Sequence, residues 1–157
     1  MKKQKGFSLI ELLIVVAIIL IIAAIAIPNL LKSKMAANES SAVGSIRTIN
    51  TGQVTYAAGC PNVGYSATLV ELNTGAICAG GIGIIDNVLS TGIKSGYTFG
   101  YNPGAAAANG VVSTYTTTAV PLTVGTTGQR GFFSNQTGVI RYSLSGAAPT
   151  VASSALQ

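Results

Sequence analysis

From residue 12 to residue 27 every side chain is apolar, and no charge follows Glu11 until Lys32. As a helix, the charge-free stretch 12–31 reaches about 30 Å, the thickness of a bilayer's hydrocarbon core. In lipid its backbone amides need partners within the segment, which an α-helix supplies. Lys2, Lys3 and Lys5 precede the run. A basic flank stays on the cytoplasmic side and sends the other end outward. Taken alone, the run fits a membrane anchor, a buried helix or a cleaved secretory signal. Ala24-Ile25-Ala26 matches the small-x-small pattern of a signal-peptidase site.

Two features favour a retained helix. Glu11 stands at the start of the run, where an ordinary signal or anchor gains nothing from a carboxylate. The helical pattern also continues past the run. Met35, Ala42, Val43, Ile46, Ile49 and Tyr56 recur at spacings of threes, fours and sevens. That makes one apolar stripe, with Lys34, Asn38, Ser45 and Thr48 off it. Pro28 lacks an amide donor and is expected to kink or loosen the helix. The helix is therefore expected from Phe7 to about Ala57.

Beyond it the chain is rich in Gly, Ala, Ser, Thr and Asn and has no Trp, so it buries only a modest core. Residues 58–96 read as a connecting region with a short helix near Thr68–Asn73. Residues 97–101, 111–119, 131–134 and 138–144 read as strands, the last two joined at Asn135-Gln136-Thr137 as a hairpin. The expected fold class is α+β: a long N-terminal helix, hydrophobic in its first half and amphipathic in its second, packed on a small antiparallel sheet.

Charge and chemistry exclude several function classes. The net charge is +5, from nine cations and four acids, but three of the cations precede Gly6. The remainder has no basic patch, so no specific nucleic-acid binding is inferred. Lys32 and Lys34 suit a solvated helix face near a membrane surface. There is no His and no paired carboxylate, and Gly80-Gly81-Ile82-Gly83 lacks the Lys of a phosphate cradle. The chain is expected not to be an enzyme and to need no cofactor. Cys60 and Cys78 are the only cysteines. In an exported protein they are expected to form a disulfide, which stabilises by roughly 3 kcal/mol in the chain-entropy picture. A metal site is not expected from two thiols alone. Asn38-Glu39-Ser40 and Asn135-Gln136-Thr137 match the short, frequent glycosylation triplet.

The segment Lys5-Gly6-Phe7-Ser8-Leu9-Ile10-Glu11, with the apolar run up to Pro28-Asn29, resembles the N-terminus of type IV prepilins. The resemblance covers about the first fifth of the chain. It implies a leader, residues 1–6, removed by a membrane-embedded prepilin peptidase between Gly6 and Phe7, with N-methylation of the new Phe7 amine. It implies residues 7–57 as membrane anchor and filament core, and residues 58–157 as a globular domain with an antiparallel sheet. The implied partners are membrane lipid, the inner-membrane pilus assembly machinery and identical subunits in a helical filament. The implied location is the inner membrane, as a single-pass protein, and then a bacterial surface pilus serving adhesion, motility or related roles. Glu11 is implied to pair with the Phe7 ammonium of an adjacent subunit and so fix axial register. At Leu20 many family members have Gly, so Pro28 is the only strong helix breaker here.

The alternatives within the family are a minor pilin and a pseudopilin of a type II secretion system. A major pseudopilin is expected to carry a calcium site near its C-terminal end. Beyond Tyr56 the only acids are Glu71 and Asp86, so oxygen ligands for calcium are poorly supplied there. Outside the family, an adhesin on an ordinary anchor is distinguished by its failure to form filaments. An electron-conducting pilus finds little support in a helix with only Phe7 and Tyr56 as aromatics.

Overall fold

The structure is a computed structural model that describes residues 7–75 and 83–156. It contains α1 (Leu9–Gly59), α2 (Leu69–Thr74) and α3 (Asn87–Ser90). The strands are β1 (Ile93–Lys94), β2 (Tyr97–Pro103), β3 (Tyr115–Pro121), β4 (Gly131–Asn135) and β5 (Arg141–Ser143). The chain divides into two compact units, residues 1–34 and 35–157, with the boundary inside α1.

In the first unit, residues 9–34 form an apolar helix with no buried residue. Pro28 lies inside it, and the helical assignment runs through. The carbonyl four residues before a proline receives no amide there. Further on, the Ser33 hydroxyl donates to the Asn29 carbonyl oxygen at 3.0 Å.

The second unit is built on residues 35–59 of α1 and a five-stranded antiparallel meander, in the order β1-β2-β3-β4-β5. The core is made by Ala42, Ile46, Ile49 and Tyr56 of α1, Tyr97 and Phe99 of β2, Ala119 of β3 and Phe132 of β4. β3 shows the period of a strand with one covered face: Tyr115, Thr117, Ala119 and Pro121 are buried and the residues between them are half-buried. Each buried apolar side chain here contributes about 1.5–3 kcal/mol relative to exposure.

The connecting region carries its own helix signals. The Thr68 hydroxyl accepts from the Glu71 amide at 3.2 Å, and Glu71 Oε2 accepts from the Ala67 amide at 2.6 Å. The two bonds satisfy amides that have no partner within α2. Gly75 ends α2 at a φ of 61°, a left-handed conformation that glycine adopts without steric cost. Asp86 caps α3 by accepting from the Leu89 amide at 2.7 Å, and its other oxygen accepts from Lys94 Nζ at 2.8 Å. Those two bonds, Lys94 first, hold the Asp86 carboxyl below its ordinary pKa.

The structure differs from the sequence reading in several local respects. The helix ends at Gly59 rather than near Ala57. α3 and the short β1 were read as part of a loop. Residues 111–114 lie outside β3, because Val112 bridges to Gly64 and Ala106 instead. Ser45, placed off the apolar stripe, is buried. The short helix falls at Leu69–Thr74, close to the expected place.

The N-terminal segment as candidate functional site

Ser8 precedes the first residue of α1, and its carbonyl oxygen accepts from the Leu12 amide at 3.2 Å. Glu11 lies in the first helical turn, three residues after Ser8. That is the spacing of a capping box, and a carboxylate there is favoured by the unpaired amides of a helix N-terminus. The sequence reading gave Glu11 a role in assembly and missed this local one. The Ser-x-x-Glu spacing was the available signal.

Phe7 is 80% exposed, and the large apolar residues from Leu9 through Ile27 are 46–77% exposed. This helical surface has mean hydropathy 3.3 over its most apolar window, none of which is buried. Length and composition allow it to cross a membrane. Water disfavours so much apolar surface, so lipid or other apolar helices are its stable surroundings. Gly6, at the expected cleavage junction, lies outside the described residues, as does the rest of the expected leader, residues 1–5.

The second unit has a different polar anatomy. Four polar residues of α1 point into it and find partners. Glu39 Oε1 accepts from the amides of Gln129 at 2.8 Å and Arg130 at 3.1 Å, and Oε2 accepts from Arg130 Nε at 2.7 Å. Burial raises the Glu39 pKa, but these hydrogen bonds and the Arg130 charge outweigh it, leaving the carboxyl below its ordinary value. The Arg130 guanidinium lies 5.6 Å from the Phe132 ring centre and 5.8 Å from that of Tyr142. Asn38 Nδ2 donates to the Thr127 carbonyl oxygen at 2.8 Å. Asn50 donates to the Ser134 hydroxyl and accepts from the Tyr115 hydroxyl, at 2.9 and 3.0 Å. Gln53 Nε2 donates to Ser66 Oγ at 2.8 Å and its Oε1 accepts from the Ser66 amide at 3.0 Å.

The buried Tyr97 and Tyr115 and the half-buried Tyr101 extend this pattern. Tyr97 donates to the Arg130 carbonyl oxygen at 2.8 Å, and Tyr101 to that of Ser66 at 2.7 Å. Burial is the main cause that pushes both phenols up to about 12; for Tyr97 the Glu39 charge adds to it. Tyr115 is pushed up as well, chiefly by burial.

Cys60 is buried at the end of the α1 region. Cys78 lies outside the described residues, so the expected pairing stands as a proposal. No group of three or more His, Cys, Asp or Glu able to hold a metal occurs among the described residues.

Comparison with known proteins places the similarity in part of the chain. The family described as the prokaryotic N-terminal methylation motif matches residues 1–27. The type IV major pilin protein PilA of Myxococcus xanthus is 46% identical over 54 residues, which is 34% of this chain and 24% of that protein. The type IV wide pilus major component PilA4 of Thermus thermophilus is 60% identical over 40 residues, 26% of this chain and 30% of that protein. The match thus spans less than a third of either relative's length. No solved structure matches the chain.

Proposed function

We propose that this chain, which carries the N-terminal methylation motif and is related in part to type IV major pilins, is a structural subunit of a type IV pilus. The observation that carries the reading is an exposed apolar helix that begins at Leu9, two residues after Phe7, and holds one carboxylate, Glu11, in its first turn. Prepilin peptidase cuts the Gly6–Phe7 bond and methylates the freed Phe7 amine. The subunit then stays in the inner membrane through residues 9–31, with Lys32 and Lys34 at the outer surface.

Assembly moves that helix from lipid into a bundle of identical helices. Both surroundings are apolar, so the transfer costs little hydrophobic free energy. Glu11 is the exception. A carboxylate in an apolar bundle costs several kcal/mol unless paired. The Phe7 ammonium of an adjacent subunit supplies that pair and selects one axial register. Pro28 marks the weakest backbone position of the segment. Residues 35–157 face outward, and a Cys60–Cys78 disulfide closes the loop between α1 and the sheet. The inner-membrane assembly machinery and the homopolymer are the partners; the filament serves adhesion, motility or a related surface role.

Mass spectrometry of subunits from purified surface filaments tests this reading. The expected mature chain begins at N-methylated Phe7 and retains the apolar run. A mature chain beginning at Ile27, soluble and without filaments, overturns it.

A further inference from the structure

We propose that Arg47 of one subunit binds the Glu71 carboxylate of a neighbouring subunit, giving the outward unit a specific contact of its own between copies. The inference rests on the filament reading above. It starts from the charges of residues 35–157. Glu39 is held by Arg130, Asp86 by Lys94, and Arg141 donates to the Ser153 carbonyl oxygen at 2.8 Å. Among the described residues, Arg47 has no hydrogen-bond or ion-pair partner. Among the described residues Glu71 has no cationic partner either; its Oε2 accepts from the Ala67 amide and its Oε1 has no partner among them. Among the described residues of the unit, Arg47 and Arg141 thus have no carboxylate and Glu71 has no cation, and of the two guanidiniums only Arg47 also lacks a hydrogen-bond acceptor.

The surroundings of the two groups are complementary. Arg47 is exposed on α1 and lines three surface hollows: one of about 290 Å³ that also holds Glu39, Arg130 and Leu156, one of about 290 Å³ reaching Thr51 and Ile84, and one of about 270 Å³ reaching Val139 and Ile140. Glu71 stands on α2 beside Val70, which is 56% exposed. A carboxylate flanked by Val70 fits a guanidinium flanked by the hollows that Ile84 and Ile140 line. The apolar contact excludes water from a pair that is weak when fully solvated. The planar fork of Arg suits a carboxylate with one oxygen still open. The two groups sit on different elements and make no ion pair with each other within the chain. A contact joining unlike patches of identical copies is heterologous, and such contacts propagate into open helical filaments. Lys32 and Lys34 belong to the other unit, beside the apolar run, where lipid headgroups supply anions before assembly.

Charge reversal in cells that make the full chain tests the contact. With Arg47→Glu, like charges face each other at every junction, and filament yield falls about tenfold or more. Glu71→Lys behaves alike, and the double reversal restores yield, which loss of folding in either single variant does not allow. A second measurement guards against misfolding. Filaments of Arg47→Lys keep the charge, and carbodiimide treatment couples the substituted amine to Glu71. Mixed light and heavy isotope labels in the linked peptides show that the bond joins different subunits. Absence of that link in intact filaments, or a double reversal no better than the singles, overturns the contact and leaves the filament reading standing. Failure of the wild-type chain to form filaments overturns both.

Discussion

Glu39 on α1 and Arg130, the residue just before β4, are 91 positions apart, yet the Arg130 Nε–Glu39 Oε2 bond is 2.7 Å long. The same carboxylate accepts the Gln129 and Arg130 amides. One side chain of the helix thereby fixes the loop that connects β3 to β4. Arg130 also stacks on Phe132 and Tyr142, so the clamp runs from the helix across two strands.

Glu39→Ala leaves the guanidinium and two amides without their acceptor. The expected cost is about 2–3 kcal/mol, read as a lower midpoint in chemical denaturation of the detergent-solubilised subunit. Glu39→Gln keeps one acceptor oxygen and is expected to lose less. Equal losses in the two variants would assign the effect to packing rather than to hydrogen bonding.

The Glu39 carboxyl titrates lower in the folded chain than its ordinary 4.5. Its contribution is therefore present above the unfolded-state pKa and is lost as pH falls through the folded one. Denaturation midpoints followed downward from neutral pH should show an acid decline that Glu39→Gln flattens. An unchanged slope in that variant would remove Glu39 from the acid response.

Tyr97 and Tyr101 are held neutral up to about pH 12. Raised phenol values mean that stability is intact below the unfolded value of 10 and is lost as pH rises towards the folded one. Ultraviolet titration should show these two phenols ionising together with unfolding. Their ionisation near pH 10 in a folded chain would contradict their burial.

Gly128 sits in the clamped loop, where an added Cβ would overlap the Tyr97 hydroxyl and the ring carbons beside it. Gly128→Ala therefore displaces either the loop or the ring whose hydroxyl bonds to Arg130. A loss of about 1–3 kcal/mol is expected. Tyr97→Phe removes the clashing oxygen but leaves Cζ and Cε2 at 2.7 and 2.8 Å from the added Cβ, so the loss from Gly128→Ala should shrink only in part in that background. The double-mutant cycle measures the difference.

Replacing Glu11 by Val removes a costly charge from the apolar segment, so insertion of the precursor should persist or improve. Under the proposed pairing, filaments should become scarce, because the Phe7 ammonium would lose its partner. Normal filaments from Glu11→Val cells, counted by electron microscopy, would end the pairing role. Cys60→Ser is a separate test: intact mass should show two fewer hydrogens in the wild type than in its reduced form, and the variant should lose roughly 3 kcal/mol. Free thiols titrating in native filaments would rule out the disulfide.

The sequence by itself determined the apolar segment, the amphipathic continuation and the short helix after Thr68. Each is written in local spacing: an uninterrupted run, a period near 3.6, a capping threonine followed by glutamate. Of the six apolar positions of the amphipathic stripe, Ala42, Ile46, Ile49 and Tyr56 are buried, and Met35 and Val43 are half-buried. The antiparallel strands were legible where aromatic and β-branched residues alternate, as in Tyr97–Pro103. The tertiary structure alone decided the fate of Glu39, Ser45 and Gln53, which share the buried face of α1 with the apolar residues. On a helical pattern such residues read as breaks or as solvated positions. Their burial depends on partners that local spacing cannot reveal: Ser66 lies 13 positions from Gln53, and Arg130 lies 91 from Glu39. A buried polar group is stable only where its hydrogen bonds are met, and folding brings those donors and acceptors together.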